Sequence, residues 1–113
     1  GARRVWSDTK GRLWVSEWRS GNVEMYDPAA KAWRTWKLPG DKPTCYAVYV
    51  DGDDKVWLTD FTADAILRFD PLTETFRSFP SGSKRAWVRQ LAGRKGEVWG
   101  AESASDRLVV VKE

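Results

Sequence analysis

The 113-residue chain contains no histidine. It lacks the one side chain whose ordinary pKa lies near neutrality, which is the usual general base and the commonest metal ligand. A single cysteine, Cys45, excludes an internal disulfide. With no histidine to activate it, the thiol reads as a small buried hydrophobe at a strand start. No apolar run is long enough to cross a membrane, no signal peptide is recognisable, and no window carries a helical stripe. Net charge is only +3, from 19 basic and 16 acidic residues interleaved along the chain. The densest basic spots, "ARR" at 2–4 and "SKRAWVR" at 83–89, read as solvated surface, so neither a nucleic-acid nor a membrane partner is expected. Nothing in the chain assigns a compartment.

What is abundant is aromatic and repetitive. Eight tryptophans are present. "GRLWVSE" (11–17) returns as "DKVWLTD" (54–60) and "GEVWGAE" (96–102). Tyr26-Asp27-Pro28 returns 43 positions on as Phe69-Asp70-Pro71, and Asp8 as Asp51. Trp33, Thr35 and Trp36 return as Phe76, Ser78 and Phe79. A period of roughly 40–45 residues is that of a propeller blade. Each repeat breaks at Gly, Pro, Asp and Asn into short pieces rich in Val, Ile, Thr and aromatics. Four pieces fall in each of the first two repeats and three in the last, which predicts eleven strands. Runs such as Leu13-Trp14-Val15 and Val56-Trp57-Leu58 are apolar on consecutive positions, as in a sheet packed on both faces. The expected fold is all-β: two four-stranded antiparallel blades and three strands of a third, a partial β-propeller in one domain, at about 3–39, 45–80 and 86–113. Trp14, Trp57 and Trp99 should be buried wedges between blades.

The phrases "DTKGRLWVSEW", "SGNVEMYDP", "WKLPGD", "VWLTDF", "AILRFDP" and "GEVWGAESASDRLVVV" resemble the virginiamycin B lyase (streptogramin lyase) family. The most specific features are the Trp-x-x-acid ending of the second strand and the aromatic-Asp-Pro ending of the third. The resemblance implies the C-terminal blades of a propeller, with the outer strand of the last blade missing. It also implies an enzyme that opens a cyclic depsipeptide by elimination, using histidines and a glutamate near magnesium. Where the family has a histidine at the start of the first strand, this chain offers Tyr46, and then Trp87 or Val88. No catalytic residue is carried over, and no cofactor is expected; magnesium enters only with the lyase alternative.

Four aromatics, Trp18, Tyr46, Phe61 and Trp87, fall at strand ends or on loops, where they either line a pocket or cap the core. Glu17, Asp60 and Glu102 end the second strand of each repeat. They would form an arc of carboxylates, but each is expected to accept local hydrogen bonds rather than hold a metal. The crowded turn "DGDDK" (51–55) is expected to be a tight hairpin, and Asp27 and Asp70 to form Asx turns. Function is read in two ways. The first is a non-catalytic binding or scaffold module, a fragment or assembling subunit open to a small-molecule ligand. The second is part of a magnesium-dependent lyase site, completed by further blades. Uncovered blade faces predict a homo-oligomer or the remaining blades of a parent chain as partner.

Overall fold

The computed structural model describes residues 1–113. It holds eleven strands and no helix: β1 (Ala2–Ser7), β2 (Leu13–Glu17), β3 (Asn22–Asp27), β4 (Ala32–Lys37), β5 (Cys45–Val50), β6 (Val56–Asp60), β7 (Ala65–Asp70), β8 (Thr75–Pro80), β9 (Val88–Arg94), β10 (Glu97–Glu102) and β11 (Arg107–Lys112). They form three antiparallel meanders, β1-β2-β3-β4, β5-β6-β7-β8 and β9-β10-β11. The first strands run side by side, β1 against β5 and β5 against β9, so the sheets stack as successive blades.

Two apolar layers lie between the blades. Trp14, Val23 and Met25 of the first sheet meet Val48, Val50, Val56, Leu58, Leu67 and Phe69 of the second. Ala47, Trp57 and Ile66 of the second meet Val88, Leu91, Val98 and Val111 of the third. Trp14 stacks on Trp36 at 5.5 Å, and Trp57 on Phe79 at 5.8 Å. Each indole N–H donates to an aspartate six residues earlier: Trp14 Nε1 to Asp8 Oδ2 at 2.9 Å, Trp57 Nε1 to Asp51 Oδ2 at 2.8 Å. The same aspartates accept from the backbone of the hairpin turn, through Lys10 and Arg12 N–H in one blade and Asp53 and Lys55 N–H in the next. One carboxylate thus closes the turn and fixes the wedge. The Asx turns also form, with Ala29 N–H on Asp27 and Leu72 N–H on Asp70.

A hydroxyl two residues after each wedge ties one blade to the next. Ser16 accepts from Arg4 N–H and donates to the Tyr46 carbonyl. Thr59 accepts from Ala47 N–H at 2.9 Å and donates to the Val88 carbonyl at 2.8 Å.

Trp99 departs from the expectation. Trp14 and Trp57 are 0% and 1% exposed, but Trp99 is only half-buried. The register explains why. Trp99 pairs with Ala92 and Val110 on the face of the third sheet turned away from the second. No following sheet covers it, and its indole N–H reaches Glu97 at a long 3.5 Å. The opposite end is bare in the same way. Val5, Leu13 and Trp33 are 59%, 38% and 61% exposed, although their counterparts Val48, Val56 and Phe76 pack in or against the first layer.

Candidate functional site

Each first strand carries a register irregularity beside the end of the second: between Ala2 and Val5, between Cys45 and Val48, and opposite Gly100–Glu102 in β9. Such bulges bend a strand and re-aim its side chains. Ala2, Cys45 and Val88 pair with Glu17, Asp60 and Glu102, so they are equivalent. The next residues, Arg3, Tyr46 and Arg89, therefore share one position of the repeat. This corrects the sequence expectation that Trp87 or Val88 is the counterpart of Tyr46: the second strands of these repeats are offset by 42, but the pairing of Cys45 with Asp60 and of Val88 with Glu102 offsets the first strands by 43 and places Arg89 there. Trp87 instead matches Thr44.

The four candidate aromatics meet on this end of the sheets. Trp18 stands edge-on to Tyr46 at 5.7 Å and to Phe61 at 5.1 Å. Tyr46 stacks on Phe61 at 4.9 Å, and Phe61 lies nearly parallel to Trp87 at 6.2 Å. All four are half-buried. Trp18, Thr44, Phe61, Thr62, Trp87 and Arg89 line an open cleft of 420 Å³.

The backbone around the row is firmly held. Trp18 N–H donates to the Gly1 carbonyl and Phe61 N–H to the Thr44 carbonyl, each at 3.0 Å. Gly21, at φ 68°, lets the first blade's turn approach the next linker, where a Cβ would run into the Pro43 carbonyl. Arg85 and Trp87 adopt left-handed φ of 55° and 48°, a conformation costing about 1–3 kcal/mol at a non-glycine residue. Asp64 braces the turn before Trp87, accepting from Arg85 N–H and Ala86 N–H, both at 3.0 Å. The Ser103 hydroxyl donates to the Trp87 carbonyl at 2.8 Å. Asp64 has no counterpart among the sequence-predicted residues, and the arginines fall in the two basic spots, "ARR" and "SKRAWVR", that read from sequence as solvated surface. The 43-residue offset between the first two repeats was the available signal for Arg3, whereas Arg89 follows from the strand register.

The three strand-end carboxylates are engaged locally. Asp60 Oδ1 accepts from Thr44, Thr62 and Ala63 N–H at 3.0, 2.9 and 3.3 Å. Glu102 accepts from the Ser81 and Ser105 hydroxyls at 2.7 and 2.9 Å. Burial pushes its carboxyl up, but hydrogen bonds from Ser81, Ser105 and Ser83 and the charge of Arg107 outweigh that and hold it below the ordinary glutamate value. Glu17 faces the N-terminal ammonium at 3.4 Å. No three His, Cys, Asp or Glu side chains converge on a point. The residues present do not fit a magnesium ion, whose oxygen ligands must meet at about 2.0–2.1 Å. Cys45 is buried, and burial pushes its thiol up to about 12.

No protein-family model matches the sequence, and no curated protein is similar to it by sequence. Solved structures are similar in shape. Virginiamycin B lyase from Staphylococcus aureus matches all of this chain over 38% of its own length, with a TM-score of 0.91 and 16% identity. A catalytically inactive variant of virginiamycin B lyase from the same organism, crystallised with quinupristin, gives 0.83 at 14% identity, covering 99% of this chain and 41% of the lyase. Periplasmic gluconolactonase of Pseudomonas aeruginosa gives 0.78 at 17% identity, with all of this chain on 36% of the enzyme. The chain thus spans about two fifths of the length of these propellers. At such identities the likeness speaks for fold alone: the chain is a run of three neighbouring β-propeller blades, shaped like those of virginiamycin B lyase.

Proposed function

We propose that the chain is a non-catalytic binding module, whose ligand surface is the aromatic row at the ends of β2 and β6. The carrying observation is the convergence of Trp18, Tyr46, Phe61 and Trp87 beside an open cleft. Two of its four rings depend on special backbone, Tyr46 on the β5 bulge and Trp87 on a left-handed φ. Half-exposed rings gathered around a cleft offer the apolar lining with few polar groups that a ligand surface requires.

The lyase alternative draws on the likeness to virginiamycin B lyase. An elimination needs a base able to take a proton near working pH. Glu102 stays anionic but is covered and bound by two serine hydroxyls, and Asp60 is spent on backbone N–H groups. Neither is aimed at the cleft as a free base. Incubating the purified chain with quinupristin and Mg²⁺, followed by mass spectrometry, separates the readings. The intact ring is expected throughout; a ring-opened product would overturn the non-catalytic reading.

A further inference from the structure

The two ends of the blades treat their charges differently. Arg12, Arg34, Lys55, Arg68, Arg94 and Lys112 pair with carboxylates on the hairpin-turn side of the sheets. On the aromatic side no arginine pairs with a carboxylate, and the acids beside the row are engaged elsewhere. Asp60 and Asp64 take backbone N–H groups, Glu102 takes serine hydroxyls, and Glu17 takes the N-terminus. The arginines there find rings instead of carboxylates. Arg3 lies over Trp18 at 5.3 Å and Tyr46 at 5.9 Å, Arg4 over Tyr46 at 5.1 Å, and Arg85 over Trp87 at 4.4 Å. Arg89, which lines the cleft, belongs to no ion pair. All four guanidinium side chains belong to exposed residues.

We infer that this face binds small anions carrying a flat π surface, the aryl phosphates and aromatic carboxylates. The ring lies on the aromatic row, and the anionic group is held by the unpaired guanidiniums beside it, Arg89 in the lining of the cleft and Arg3 at the equivalent bulge position of the first blade. Guanidinium suits this role: its planar fork matches phosphate and carboxylate oxygens, and it keeps its charge while stacked on a ring. Ring stacking rewards a flat apolar surface whether or not the ligand carries a charge elsewhere, so the arginines supply the selection for an anion. The inference rests on reading the aromatic row as the ligand surface.

Calorimetric titration of the chain at low salt with 2-naphthyl phosphate, 2-naphthol and inorganic phosphate tests it. The aryl phosphate is expected to bind, and the naphthol about ten-fold or more weaker, since a charge-assisted hydrogen bond is worth about one such factor. Inorganic phosphate should bind weaker than either. Replacing both flanks (Arg3→Gln with Arg89→Gln) touches only exposed side chains and should bring the aryl phosphate down to the naphthol. Phe61→Leu should weaken both aromatic probes together. Equal binding of aryl phosphate and naphthol, or an unchanged double variant, would overturn the anion assignment while leaving the aromatic surface standing. Binding by neither aromatic probe would overturn both.

Discussion

Trp57→Ala is the sharpest perturbation of the stack. The indole is 1% exposed, lies in the layer with Ile66, Val88, Leu91 and Val98, stacks on Phe79 and donates to Asp51. Truncating a buried tryptophan costs about 3–5 kcal/mol, and the Asp51 carboxylate loses a donor at the same time. Small domains have about 5–15 kcal/mol in total. At about 4–8 °C per kcal/mol for a domain near this size, a loss of about 4 kcal/mol lowers Tm by roughly 15–30 °C. Trp99→Ala removes a ring that is only half-buried and weakly hydrogen-bonded, and should lower Tm by less than half as much. Differential scanning calorimetry of both variants reads the two shifts directly. Equal shifts, or a Trp57→Ala protein melting cooperatively at the parent temperature, would refute the wedge argument.

Thr59→Val strips the buried hydroxyl joining Ala47 N–H to the Val88 carbonyl, and should destabilise by about 1–3 kcal/mol in urea unfolding; a neutral result would mean that the hydroxyl is not the tie between blades. Burial pushes the Asp8 carboxyl up, but hydrogen bonds from Trp14, Arg12 and Lys10 prevail and hold its pKa below the ordinary value. A lowered folded pKa gives stability that is present above the unfolded pKa and lost as pH falls through the folded one. Stability should therefore fall as the pH drops below the ordinary aspartate value of about 4, and Asp8→Asn should shrink that fall; an identical pH profile would contradict it. The bare faces around Val5, Leu13 and Trp33, and around Trp99 and Leu108, should drive association. Light scattering at micromolar concentration should find species heavier than 12.9 kDa, and a stable monomer would contradict this.

The strands were legible because the repeat writes the same pattern of β-formers and breakers three times, and local propensity agreed with the blade. Trp14 and Trp57 could be placed because each has a following blade. Trp99 could not, because its burial depends on a neighbour the three sheets do not supply. The aspartate–tryptophan links were visible as the recurring spacing of Asp8 to Trp14 and Asp51 to Trp57. Recurrence alone does not say that a turn-closing carboxylate also takes an indole N–H. The aromatic row was readable as residues at strand ends. The arginines stood out as two basic spots, but their place beside the row was hidden, because a cation stacked on a ring leaves no pairing signature in sequence and the bulges that aim Arg3 and Arg89 appear only in the register.

The eight tryptophans make the central claim directly measurable. Each indole N–H gives its own signal in a ¹⁵N-resolved NMR spectrum, assignable by single substitution to Phe. During titration with 2-naphthyl phosphate, the signals of Trp18 and Trp87 should shift together and saturate. Those of Trp14 and Trp57, locked between blades on Asp8 and Asp51, should stay in place. Shifts confined to Trp33 and Trp99 on the bare blade faces, or no shift at Trp18 and Trp87, would contradict the account.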